Sequence, residues 1–212
     1  MLYEVNHIEN FYITNTKYWS FYPNMFQTIA EIHLHTFKGF FLSSLGKKFL
    51  TEFYKNIYWD NSGMLLVCRK DEEIVGFVAG SLEPAGFYTR ILKKRLLFFA
   101  LYALPALIKQ PKIFSRLLSA FRKPGDEPND PDAAKLMSIA VQEEYQGYGL
   151  GKLLVEAFIT ECKKHGKKII LLETDAVDND AVNCFYQNMG FQLSKAYQTS
   201  EARKMNAYRF NL

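Results

Sequence analysis

A chain of 212 residues is long enough for one sizeable core, and its 49% hydrophobic and 23% charged content is that of a globular domain. Its three cysteines, Cys68, Cys162 and Cys184, are too few and too unpatterned for a disulfide frame and read as reduced thiols. The opening Met1-Leu2-Tyr3-Glu4 has no basic region followed by an apolar run, so no secretory signal is expected and the location expected is cytoplasmic. The net charge of +4 conceals an asymmetry. Nine basic residues (Arg90, Lys93, Lys94, Arg95, Lys109, Lys112, Arg116, Arg122 and Lys123) fall between Pro84 and Gly125, where there is no Asp or Glu, so the rest of the chain is net negative. The 18 Phe and 13 Tyr point to deep apolar burial or a lined cleft.

In chain order, residues 2–5 read as a short edge strand. Residues 25–37 carry Phe26, Ile29, Ile32 or His33, and Phe37 near helical spacing, and Gly39 then interrupts. A second helix is expected over 44–58, with Leu45, Phe49, Leu50, Phe53, Tyr54 and Ile57 on one side. Asn61-Ser62-Gly63 is a turn, and strands at 64–69 and 74–81 flank the loop Lys70-Asp71-Glu72-Glu73 as an antiparallel hairpin. Residues 91–120 read as helical hairpin material broken by Pro105 and Pro111. Their uncharged run, 96–108, is short of the ~20 residues a bilayer requires. A proline-rich loop at 122–131 follows. Then come a strand at 136–141, a helix at 149–165, a strand at 168–174, a helix at 179–189 and strands at 192–197 and 205–210. The strand–helix–strand unit at 136–174 predicts a right-handed crossover between parallel strands, while the hairpins on either side make the sheet mixed. The fold class expected is α/β (α+β): a mixed, mostly antiparallel central sheet with helices on both faces. It forms one domain over 1–212 with a basic helical insertion at about 84–131.

The chemistry concentrates at Gln146-Gly147-Tyr148-Gly149-Leu150-Gly151, between an apolar strand and a helix. The first-turn N–H groups of a helix lack intrahelical partners and its dipole favours negative charge there, while glycine lets the main chain approach an anion closely. A P-loop needs four residues between its glycines and a hydroxyl after the lysine. Here three residues separate Gly147 from Gly151, and Leu153 follows Lys152, which argues against nucleoside triphosphate chemistry. A dinucleotide fingerprint would place its third glycine at Leu154. Glu173 fits the ribose-binding acid, but fewer than forty residues follow it. A tight strand-to-helix link with no ligand is the plain structural alternative.

Gln146-x-x-Gly149-x-Gly151 resembles the acyl-CoA signature of the GNAT superfamily of N-acetyltransferases. The block from Asn179 through Tyr186 to Gly190-Phe191 resembles that family's second landmark, in the right order and at about the right distance. The segment from Phe37 to Gly46 is also similar to the first-helix region of a bacterial subgroup. The resemblance implies that main-chain N–H groups of Gln146, Gly147, Tyr148, Gly149, Leu150, Gly151 and Lys152 hold the pyrophosphate of acetyl-CoA. It implies that the strand before the turn is bulged and splayed, so that Ile139, Ala140 and Val141 pair with the pantetheine amides, and that an N–H near Val141 polarises the acetyl carbonyl. Asn179 would contact the pantetheine arm. Tyr186 would protonate the departing thiolate, a role its reference pKa of ~10 suits against a thiol of ~8.5. Glu173, ahead of Glu83, is the expected base, with Glu143 and Glu144 nearer the pyrophosphate.

Other readings of these residues are plainer. Tyr186 could be a core aromatic, and Asn179 could cap its helix. Cys184 has no nearby His and lies i, i+2 from Tyr186, so a nucleophilic role is unsupported. His33 and His35 belong to no Cys/His cluster, and no metal site is expected. The insertion has three readings: a lid with Phe87, Tyr88, Phe98, Phe99 and Tyr102 lining the acceptor pocket, a basic element contacting a membrane surface through 86–123, or a dimer contact. It lacks any recognised RNA motif, so no nucleic-acid partner is expected. The function expected is acetyl transfer from acetyl-CoA to a primary amine of a small molecule, such as an amino sugar, by a monomer or homodimer. The alternative is a non-catalytic acyl-CoA-binding or membrane-peripheral module.

Overall fold

A computed structural model describes residues 2–4, 11–18, 24–94, 99, 101–102, 130–199 and 202–212. Its strands are β1 (Leu2–Glu4), β2 (Phe11–Asn15), β3 (Gly63–Lys70), β4 (Glu73–Ser81), β5 (Ala133–Val141), β6 (Ile169–Asp175), β7 (Gln192–Gln198) and β8 (Lys204–Asn211). Its helices, numbered here, are α1 (Met25–Thr36), α2 (Phe41–Ser44), α3 (Lys47–Trp59), α4 (Phe87–Lys94), α5 (Leu150–Lys164) and α6 (Asp180–Asn188). The strands form a single sheet in the order β1-β2-β3-β4-β5-β6-β8-β7. Every neighbouring pair is antiparallel except β5 and β6, the pair joined by the α5 crossover.

Alternation along the central strands divides the core between the two faces. Leu65, Val67, Phe77 and Ala79 bury against α1, α3 and α4 through Ile29, Phe49, Leu50, Phe53, Tyr54 and Ile91. Leu66, Cys68, Val78 and Leu136 bury on the other side against Leu154, Val155, Phe158 and Cys162 of α5 and Tyr186 of α6. Each fully buried large apolar side chain contributes about 1.5–3 kcal/mol. The sheet is thus fixed as a rigid floor with helices on both faces, the class expected.

The local departures have physical causes. The helix expected over 44–58 begins instead at Lys47, because the chain turns at Gly46 with φ 84°, and Phe41–Ser44 forms a separate short turn of helix. Strand β2 is absent from the sequence reading. Its Thr14 and Asn15 are buried beside Phe11 and Ile13, so no polar alternation marks it. The Asn15 amide donates to the buried Glu161 carboxylate at 2.7 Å, a pairing across the fold. Of the insertion, residues 84–94, 99, 101–102 and 130–131 are described, and 95–98, 100 and 103–129 lie outside the described residues. Phe87, Ile91 and Phe99 are core, with Phe99 4.8 Å from Phe49. Among the described residues no helix is long and apolar enough to cross a membrane.

Candidate active site

Strands β5 and β6 pair over three positions, Ala133↔Ile169 to Lys135↔Leu171, and then part. From Leu172 to Asp175 the ladder of β6 is with β8. On the other side of β5 the register slips at Met137, since Ala79 pairs with Ser138 but Gly80 with Leu136. A bulge of this kind bends and twists the strand. The result is a cleft of about 1060 Å³ whose wall includes every residue of β5 from Lys135 to Val141. Main-chain groups on this parted edge can be satisfied by an extended ligand laid alongside as an extra strand.

Past Val141 a 3-10 turn at Glu143–Tyr145 delivers the chain to the glycines. Gly147 and Gly149 have φ of 83° and 78°, in the left-handed region that side chains with a Cβ disfavour, and open space surrounds the place each Cβ would occupy. Gly149 stands at the N-cap of α5 without a side-chain cap, and no acidic residue lies in the first turn. Leu150, Leu154 and Phe158 are buried and seat this helix on the sheet. Its N-terminus therefore opens to the cleft as a bare anion-binding end. Gln146, Gly147, Gly149, Leu150, Gly151 and Lys152 all line the cleft. Tyr148 does not; its ring lies 6.3 Å from that of Phe11.

Helix α6 closes the side opposite β5. Asn179 occupies its N-cap position but makes no side-chain cap; its amide donates instead to Thr174 Oγ1 at 2.8 Å and the Asp175 carbonyl at 3.1 Å. The Asn183 amide donates to the Asp175 and Asn179 carbonyls at 2.9 and 2.8 Å. Its Oδ1 accepts from Asn206 at 2.9 Å and from the Tyr208 hydroxyl at 2.8 Å. Asn183 thus ties α6 to β6 and β8 one turn before Tyr186. Tyr186 is buried, packed against Phe185, Phe191 and Tyr208, and lines the cleft. Burial pushes its phenol well above the usual tyrosine range.

The two carboxylates expected as bases separate. Glu173 lines the cleft with Lys135 Nζ at 3.3 Å, whereas Glu83 is exposed, 4.0 Å from Arg90, and does not line it. The Tyr197 hydroxyl, raised to about 12 by burial and by the Glu173 charge, is also bonded to Glu173. Of the aromatic residues expected to form a lid, Tyr88 lines the cleft, Phe87 and Phe99 are core instead because α4 packs on α3, Tyr102 packs against the same core, and Phe98 lies outside the described residues. Buried His33 and exposed His35 part to different sides of α1. Cys184 is exposed, and burial drives the Cys68 and Cys162 thiols up to about 12.

Several lining residues go unmentioned as site residues in the sequence reading: His33, Phe40, Ser138, Asp175 and Arg203. Arg203 makes a two-pronged bond to Asp175 at 2.6 and 2.7 Å and its guanidinium lies 5.0 Å from the Phe40 ring. The position of Arg203, far along the chain in a hairpin turn, gives no sequence signal. Phe40 lies inside the segment similar to a family first helix, which was the available hint.

Residues 26–191 match the model of the Acetyltransferase (GNAT) family. The chain belongs to the GNAT family of acetyltransferases. Members of the family are acetyl-CoA-dependent N-acetyltransferases. The chain is 36% identical over 77 residues to the [ribosomal protein bS18]-alanine N-acetyltransferase of Escherichia coli K12, a match covering 34% of this chain and 51% of the relative. It is 34% identical over 74 residues to N-alpha-acetyltransferase 30 of Schizosaccharomyces pombe, covering 35% and 49%. The matched part thus spans about half the length of the curated relatives. The GNAT fold is shared with Ard1 from Thermoplasma volcanium (TM-score 0.60, 16% identity, 96% and 98% of the two chains). It is shared too with the Escherichia coli ribosomal-protein-S18-alanine enzyme (TM-score 0.54, 16% identity, 94% and 93%).

Proposed function

We propose that this chain moves the acetyl group of acetyl-CoA to a primary amine by direct attack, with Tyr186 as the acid and Glu173 as the base. The observation that carries the reading is one cleft joining three things: the bare N-terminus of α5, the parted edge of β5 and the Tyr186 phenol. The diphosphate sits on the N–H groups of 146–152 and the pantetheine amides pair with Ile139, Ala140 and Val141. Asn179 borders the pantetheine arm. The amine nitrogen attacks the thioester carbonyl carbon, whose developing oxyanion is met by a main-chain N–H near Val141. The C–S bond breaks, Tyr186 gives its proton to the sulfur, and Glu173, steadied by Lys135, takes the proton from nitrogen.

For the acceptor, the two curated relatives support the terminal amine of a polypeptide, and a small-molecule amine such as an amino sugar is the second class. Cytoplasmic location goes with either acceptor. Isothermal titration with acetyl-CoA, followed by thiol release from pools of peptides and amino sugars, tests the reading. Micromolar binding and release with one pool are expected; no binding at millimolar ligand sinks the proposal.

A further inference from the structure

The acceptor end of the cleft has an unusual composition. Phe37, Phe40, Phe41, Leu42 and Tyr88 wall it. Its charged side chains are already engaged, Arg203 with Asp175 at 2.6 Å and Lys135 with Glu173 at 3.3 Å. A polyhydroxylated body placed here would exchange water for carbon along most of its surface, at a cost for each hydroxyl left without a partner.

A buried polar side chain interrupts this wall. His33, 3% exposed on α1, lines the cleft and packs its ring 4.6 Å from Phe37. Its Nδ1 lies 2.6 Å from the hydroxyl of Tyr54, which is itself fully buried on α3. Its Nε2 is buried and has no hydrogen-bond partner among the described residues. A buried polar atom without a partner in a folded protein calls for an explanation. The Ser138 side chain, on the parted strand β5, stands beside the same Tyr54 hydroxyl. Where the Tyr54 hydroxyl donates to Nδ1, the neutral imidazole carries its own proton on Nε2. Burial depresses the imidazole to about 4, so the ring is uncharged at neutral pH.

We propose that His33 sets acceptor specificity, its Nε2–H donating to a neutral carbonyl beside the amine of an acceptor whose body is apolar or aromatic. The proposal rests on the cleft's being an acyl-transfer site and names the acceptor's chemistry. A first residue of a polypeptide with an apolar side chain has this chemistry: amine, adjacent carbonyl, apolar body. An amino sugar lacks the carbonyl and the apolar body.

Binding of three probes separates the cases: L-phenylalaninamide, phenethylamine (the same body without the carboxamide) and glucosamine. Each is titrated into the free protein and into protein saturated with CoA, where no turnover occurs. Phenylalaninamide should bind about five- to tenfold tighter than phenethylamine, as a single neutral hydrogen bond allows, with glucosamine weakest. His33→Leu should erase the amide's advantage, His33→Gln should keep part of it, and neither should alter CoA affinity. On the wild type, phenylalaninamide and not phenethylamine should shift the Nε2–H resonance of His33 in 1H–15N spectra, a reading that needs no variant to fold. Glucosamine binding as tightly as phenylalaninamide overturns the proposal, as does an amide advantage surviving in His33→Leu, an unmoved imidazole signal, or no saturable amine binding. Failure of CoA itself to bind would remove the acyl-transfer reading instead, while the titrations of free protein still judge His33.

Discussion

Tyr186 and Asn183 stand one turn apart on the same face of α6, and their predicted roles differ in what a substitution would cost. Tyr186 faces the cleft from an apolar cage of Phe185, Phe191 and Tyr208, and burial holds its proton. Tyr186→Phe should keep acetyl-CoA affinity within twofold of wild type and lower kcat by about 100-fold or more, the usual worth of a placed acid. Titration and steady-state rates measure the two numbers, and an unchanged kcat would end the assignment. Asn183 is a positioning residue whose four hydrogen bonds set the pitch of α6 against β6 and β8. Asn183→Leu should lower stability by about 1–3 kcal/mol, because its partners are left buried and unpaired, and should lower kcat more than it raises KM for acetyl-CoA. Urea melts and kinetics check both; equal changes in kcat and KM would leave Asn183 merely structural. Tyr186 was legible in the sequence as part of a spaced block. Asn183 was not, because its importance lies in β8 residues, Asn206 and Tyr208, that meet it only in the fold.

In the proposed mechanism helix α5 and strand β5 act as elements, since the contribution assigned to them is main chain rather than side chain. The turn works by holding Gly147 and Gly149 at positive φ with nothing where a Cβ would stand. Gly149→Val should weaken acetyl-CoA binding by about tenfold or more, because a β-branched residue at φ 78° strains the turn and the helix end shifts. Calorimetry reads this directly, and wild-type affinity in a folded Gly149→Val protein would refute the placement of the diphosphate. The turn, its helix and the parallel crossover were readable because periodicity and glycine spacing are local. The bulge at Met137 and the parting of β5 from β6 are long-range facts of register, and they entered the sequence reading only through family resemblance. Gly46 splits a helix that apolar spacing alone runs together, because that spacing is indifferent to one turned residue.

At the scale of the whole molecule, the sheet carries two cores, and the proposed acceptor end lies where the α1 layer meets the parted strand. His33 couples that layer to global stability. Its folded pKa of about 4 lies below the ordinary 6.5, so the folded state binds fewer protons than the unfolded chain. Its contribution is therefore complete above pH ~6.5 and is lost as pH falls toward 4, an effect of about 3 kcal/mol. Urea unfolding at pH 7 and pH 4.5 should show wild type losing about 2–3 kcal/mol more than His33→Leu; equal losses would refute the linkage. By itself the sequence determined the class of sheet, the crossover, the glycine turn at the head of α5 and the position of the Asn179–Tyr186 block, because each is written in residues close together along the chain. The tertiary structure alone decided which carboxylate reaches the cleft, which insertion aromatics are core, and that His33 of α1 and Tyr54 of α3 meet beside strand β5. Those are contacts between distant segments, fixed by packing across the sheet and invisible to spacing along it.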